Sequence, residues 1–118
     1  MNLFQLGDFT LHSGRKSNYK IDCDALTDND IACCAKLLAD RLPSFGVVEG
    51  VPRGGLRLAK AMEQYATCGR LLIVDDVWTT GGSWHQHRNG RDAIGAVIFS
   101  RTPFIPWFIT AFLVVPQE

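Results

Sequence analysis

The chain has 118 residues, 47% of them hydrophobic and 20% charged, which suits one globular domain and leaves no room for a second core. Twelve basic residues balance twelve acidic ones, so no net field would hold the chain on nucleic acid or an anionic membrane. No apolar run approaches the roughly 20 residues that cross a bilayer, and MNLFQLGDFT lacks the basic-then-apolar order of a secretory leader, which makes the expectation cytoplasmic.

Taken in chain order, residues 9–22, FTLHSGRKSNYKID, read as two short strands around Ser13-Gly14-Arg15-Lys16. Thr27 and Asp28 are candidate N-caps of a helix running to about Leu42, with Ile31, Cys34, Leu38 and Leu42 on one stripe and Pro43 as its stop. Cys23, Cys33, Cys34 and Cys68 lack the paired spacing of a zinc site and read as buried, reduced thiols. Gly46 to Val51 is a short apolar strand, and the Pro-Arg-Gly-Gly turn after it opens a helix from Leu56 to about Cys68, with Gly69 at the left-handed C′ position. Leu71 to Val74 is a strand covered on both faces, followed by a loop from Asp75 to Gly82 and a short helix. Two strands close the chain, Ala93 to Ser100 and about Phe108 to Val115. Strands alternating with helices predict an α/β fold with a parallel sheet and right-handed crossovers, and ligands then sit at the carboxyl ends of the strands.

The segment LLIVDDVWTTGGS, Leu71 to Ser83, carries the chemistry. Adjacent glycines let backbone N–H groups close around an anion, and the start of the next helix adds positive potential. Thr79, Thr80, Gly81, Gly82 and Ser83 therefore form a candidate monophosphate cradle. Asp75 and Asp76, at the strand end, suit the hydroxyls of a vicinal diol, or a Mg²⁺ held mostly by substrate oxygens and water. A phosphate cradle beside a diol acceptor describes a ribose 5-phosphate site.

This segment resembles the 5-phosphoribosyl 1-pyrophosphate (PRPP) signature of type I phosphoribosyltransferases, departing at Trp78, where the family usually has an aliphatic residue. The resemblance implies a Rossmann-like parallel-sheet core, about 26–118, under a small N-terminal hood, about 1–25, together forming one domain. It also implies Asp75 and Asp76 on the ribose hydroxyls and Thr79 to Ser83 on the 5-phosphate. EGVPRGG, Glu49 to Gly55, is similar to the family's pyrophosphate loop, which often holds a cis peptide; Pro52-Arg53 is the matching pair, and Pro52, Arg53 and Gly54 would meet the diphosphate. Taken alone, VPRGG is also a common helix-entry turn.

GDFTLHSGRKSNYKID is similar to the base-covering hood of orotate phosphoribosyltransferases, although an exposed basic hairpin would look alike. By position Lys20 and Ile21 fall at the base, and His12 falls where a lysine usually stands near the diphosphate. Trp107 or Phe108, in FIPWFITAF, matches the aromatic that stacks on the base in some relatives, or anchors an apolar strand. Arg101 would pair with an acidic base substituent or lie on the surface. His85 and His87 lack the i, i+4 spacing of a helical metal pair and read as exposed.

Enzymes of this family acting on purines usually carry an acid where this chain has Thr79, which favours an orotate-like base. The family also places a strand and a long basic catalytic loop before the PRPP strand, whereas only Gly69 and Arg70 separate Cys68 from Leu71 here. Closing loops exclude water and complete the charge set, so their loss costs rate. The expectation is thus a Mg²⁺-dependent phosphoribosyltransferase with Asp75, Asp76, Arg53 and His12 as catalytic residues, acting on PRPP and a nucleobase as a homodimer. The alternative is a non-catalytic module that binds PRPP or a nucleotide.

Overall fold

The computed structural model describes residues 2–10, 14 and 16–113. Two strands, β1 (Phe4–Thr10) and β2 (Lys16–Ile21), pair antiparallel as a hairpin, with an irregularity between Leu6 and Phe9. β1 begins well before the alternation legible from Phe9, because Gly7 and Asp8 interrupt the pattern at that irregularity. Helix α1 (Asp28–Arg41) starts on a capping box, in which the Asp30 amide donates to Thr27 Oγ1 and the Thr27 amide donates to Asp30 Oδ2. Its inward stripe is Ile31, Ala35 and Leu38, all buried, with Cys34 and Leu42 half-buried beside them.

A parallel sheet follows in the order β3 (Phe45–Gly50), β4 (Arg70–Trp78), β5 (Ala93–Ser100) and β6 (Ile109–Leu113). Leu72, Ile73 and Val74 of β4 have no exposed surface, as expected of a strand covered on both faces. Leu72, Val74, Ile94, Ala96 and Ile98 turn to α1 and to α2 (Leu56–Met62). Ile73, Ala93 and Val97 turn to α3 (Gly82–Arg88), whose Trp84 is buried at the centre of the second core. The expected α/β parallel-sheet architecture is what the chain adopts, with a two-stranded hood set apart from it.

Four expectations need correction. Helix α2 ends at Met62, continues as one 3-10 turn (Glu63–Tyr65), and never reaches Cys68. Gly69 (φ 132°) is therefore no helix cap; it lies against the Ser44 carbonyl at the entry to β4. Cys33 and Cys68 are exposed, since Cys33 faces away from the stripe of α1 and Cys68 follows the unwound end of α2; Cys23 and Cys34 are half-buried. Strand β4 runs through the two acids to Trp78, because Val77 and Trp78 extend the ladder to Phe99 and Ser100.

The fourth correction is topological. The crossovers β3-α2-β4 and β4-α3-β5 step the same way along the sheet, yet their helices cover opposite faces. Two such crossovers have opposite hands, so one of them is left-handed, against the strong right-handed rule. The link from α2 to β4 is only residues 63–69, and no further strand turns the chain before it enters β4.

Candidate active site

Both candidate loops leave the carboxyl ends of adjacent parallel strands, so β3–β4 pairing alone brings them together. The turn after β3 folds back on β4: the Val51 amide donates to the Val74 carbonyl (2.8 Å), and the Gly55 amide to the Val51 carbonyl (2.8 Å). The Pro52–Arg53 peptide in this turn is cis. Gly54 lies against the Asp76 carboxylate so closely that a Cβ there would overlap it. The small residue of one loop is what lets the acid of the other approach.

Asp75 is only 8% exposed. The Asp76 amide donates to Asp75 Oδ1 (2.8 Å), and the Val77 amide to Asp76 Oδ1 (2.7 Å), so each carboxylate is held by the backbone just after it. Burial first, and then the hydrogen bond and negative charge of Asp76, push the Asp75 carboxyl from 3.8 up to about 8. At neutral pH Asp75 therefore keeps its proton, hydrogen-bonded toward Asp76.

The turn that follows depends on Trp78, which is buried and packs against Trp84 (ring centroids 6.0 Å apart) and His85 (5.6 Å). Gly81 (φ 84°) rides on the Trp78 ring, and a Cβ at that position would enter the indole. Trp84 is tied in turn by its Nε1, which donates to the Ile73 carbonyl (2.9 Å). The tryptophan that departs from the family pattern thus buttresses the glycine turn from below. Thr79, Thr80, Gly81, Gly82 and Ser83 line a hollow of about 280 Å³ beside it.

That hollow shares Asp75, Val77, Thr79 and Ser83 with a larger cleft of about 640 Å³. Pro52, Arg53 and Gly54 of the turn after β3, Asp75 and Asp76 of β4, Lys20 and Ile21 of the hood, and Arg101 after β5 all line the cleft. Segments far apart in the chain meet around one space. Arg101 is 9% exposed and is no surface arginine.

Trp107 and Phe108 are not brought there. Phe108 immediately precedes β6, and its carbonyl accepts from the Gly95 amide near the start of β5, at the end of the sheet opposite the cleft. Its ring packs on Trp84, while Trp107 is 87% exposed. His12 lies outside the described residues. The two histidines after the glycine turn are half-buried rather than exposed: His85 edges onto Trp84, and His87 Nε2 lies 3.0 Å from Glu49 Oε1. Arg91 grips the same carboxylate with two bonds (3.0 and 2.9 Å) and holds Glu49 below the usual carboxylate range, linking β3 to the end of α3.

Sequence reasoning missed Thr10, Asp22, Cys23 and Asp24, which also line the cleft. The continuation of the hood segment into IDCD was the available signal. The Cys23 thiol is pushed up to about 12, by burial first and then by Asp76, and so remains an unreactive thiol. The donor set bears on the metal. Among the described residues that line the cleft, Asp22, Asp24, Asp75 and Asp76 are accompanied by the cations Lys20, Arg53 and Arg101, too few to neutralise a monophosphate together with a diphosphate. No group of three or more metal-ligating side chains forms among the described residues. A cation arriving on the substrate, with Asp75 and Asp76 contributing at its edge, fits that set. Among the described residues no helix is long and apolar enough to cross a membrane.

No family model matches the chain. Orotate phosphoribosyltransferase of Methanosarcina acetivorans is 36% identical over 77% of this chain and 61% of its own length. The enzyme of the same name from Methanosphaera stadtmanae is 33% identical over 70% and 62%. The chain thus spans about three fifths of the curated relatives it matches. The first match runs over 120 positions yet uses 77% of 118 residues, so the relative has internal residues without a counterpart here. Among solved structures, orotate phosphoribosyltransferase from Aeropyrum pernix superposes with a TM-score of 0.66 at 27% identity, covering 84% of this chain and 76% of that one. Xanthine-guanine-hypoxanthine phosphoribosyltransferase of Helicobacter pylori shares the fold at 13% identity, with a TM-score of 0.54 and coverage of 78% and 86%. With its two family-like loops facing one cleft on this sheet, the chain is similar to the type I phosphoribosyltransferases, nearest their orotate members.

Proposed function

We propose that the chain binds Mg²⁺-PRPP in this cleft and transfers the phosphoribosyl group to a nitrogen of an orotate-like base, releasing pyrophosphate. The observation that carries this reading is the single cleft lined by Arg53 and Gly54, by Asp75, Asp76, Thr79 and Ser83, and by Lys20, Ile21 and Arg101. Transfer passes through an oxocarbenium-like sugar, so catalysis consists chiefly of holding the ribose, neutralising the departing diphosphate and fixing the base. In this reading Asp75 and Asp76 accept from the ribose hydroxyls, and Thr79, Thr80 and Ser83 with the glycine turn hold the 5-phosphate. Arg53 and the backbone around Pro52 and Gly54 take the diphosphate. Mg²⁺, when bound, screens the diphosphate and eases its departure. Lys20, Ile21 and Arg101 receive the base.

The test is to incubate the protein with PRPP and Mg²⁺ against orotate, uracil, hypoxanthine, guanine, xanthine and adenine, and to measure pyrophosphate. Release with orotate, abolished by Asp75→Asn with Asp76→Asn, is expected; release unchanged in that variant would sink the assignment. A second reading is favoured by the short link of residues 63–69, which leaves no long loop between α2 and β4 to cover the substrate. It makes the chain a PRPP-binding module without turnover. Calorimetric binding of Mg²⁺-PRPP, with no pyrophosphate from any base, selects it.

A further inference from the structure

We propose that Ser17 and Tyr19 of the hood are positioning residues: they hold the Arg101 guanidinium with one edge open to the base end of the cleft, and so set a preference for an anionic base. The proposal rests on reading the cleft as a PRPP and base site.

Arg101 is buried, and no carboxylate lies within salt-bridge distance of it among the described residues. A buried cation is costly unless its donors are satisfied and its charge is opposed. The donors are satisfied by neutral groups. Nε donates to Tyr19 Oη (3.2 Å) and Nη2 donates to Ser17 Oγ (2.6 Å), with a longer approach to the Tyr19 carbonyl (3.5 Å). The Tyr19 ring lies under the guanidinium, 3.9 Å from its centroid. These contacts fix orientation, while no carboxylate among the described residues comes within salt-bridge distance of the charge. Nη1 has no acceptor among the described residues and is not a buried unsatisfied atom, so it opens on solvent, and Arg101 lines the cleft. A fixed guanidinium edge on a ligand cleft calls for an anionic group on the ligand.

The clamp is itself oriented. Ser17 Oγ donates to the Tyr19 carbonyl (2.6 Å) and accepts from the Tyr19 amide (3.2 Å), which leaves its remaining acceptor capacity to Arg101. The Arg101 amide donates to the Trp78 carbonyl (2.9 Å), just before the glycine turn. Hood, guanidinium and phosphate turn are thereby held to one another at a single residue.

The test compares binding of orotidine 5′-monophosphate and uridine 5′-monophosphate, which differ by the carboxylate, alongside Mg²⁺-PRPP. Calorimetry is run on wild type and on Ser17→Ala with Tyr19→Phe, which retains the ring. The expected result is a wild-type preference for the carboxylated nucleotide that falls about tenfold in the variant, the worth of a displaced charge-assisted hydrogen bond. Affinities for uridine 5′-monophosphate and Mg²⁺-PRPP stay within about twofold. An unchanged preference overturns the proposal, as does a parallel loss for all three ligands. Wild type that binds Mg²⁺-PRPP without any preference overturns it too while leaving the PRPP reading standing. Absence of PRPP binding in wild type removes both.

Discussion

Asp75→Asn should stabilise this protein at high pH while weakening its binding of PRPP. The wild-type carboxyl titrates at about 8 in the fold against 3.8 when unperturbed, because burial and Asp76 both oppose its charge. Between those two values the folded chain holds a proton that the unfolded chain has released. Stability therefore falls as pH rises through that window and levels off above it. Each pKa unit corresponds to roughly 1.4 kcal/mol, so the whole interval bounds the effect at roughly 6 kcal/mol. Water on the cleft side and the coupling to Asp76 reduce it, and we expect about 2 kcal/mol. Asparagine keeps the acceptor for the Asp76 amide (2.8 Å in the wild type) and supplies N–H groups where the retained proton lay. The variant's advantage over wild type should be small at pH 5, early in the window, and grow to about 2 kcal/mol, or about 8 °C in Tm, at pH 9. Urea midpoints at the two pH values, with the slope m unchanged, measure this directly. Equal effects at both pH values, or destabilisation at pH 9, would refute the retained-proton account. Such a gain alongside lost PRPP binding is the usual exchange between stability and function at a site that buries charge.

Other expectations concern packing and placement. A Cβ at Gly95 would press on the Trp84 ring and on Ile109 Cδ1 together, so Gly95→Ala should cost about 1 to 3 kcal/mol by denaturant melt; an unchanged midpoint would mean that α3 shifts freely. Trp107 is exposed and lies at the far end of the sheet from the cleft. Trp107→Ala should leave nucleotide and PRPP affinities within about twofold, and a tenfold loss of nucleotide affinity would restore the aromatic to the site.

How legible each part was depended on how local its cause is. The β4 strand, the paired acids and the glycine turn form one contiguous segment, and their chemistry follows from residue types at fixed spacing. The turn after β3 was legible as a turn, and its cis pair, Pro52–Arg53, only through the resemblance to a family loop. Helix α1 announced its start through Thr27 and Asp30, because a capping box needs only residues three apart. The placement of Trp107 and Phe108 away from the cleft was not legible, because it is set by the β5–β6 register, where Gly95 pairs with Ile109, and register is a long-range choice.

The class of fold and the two loops that line the cleft were legible from the sequence, since periodicity, glycines and neighbouring acids act within a few residues of one another. Tertiary structure alone decided what depends on partners distant in the chain. It put Arg101 under Tyr19 and Ser17, set Trp78 beneath Gly81, and kept a proton on the acid pair by burying Asp75. It also gave one crossover the uncommon hand, because the chain returns from α2 to β4 through residues 63–69 with no strand between.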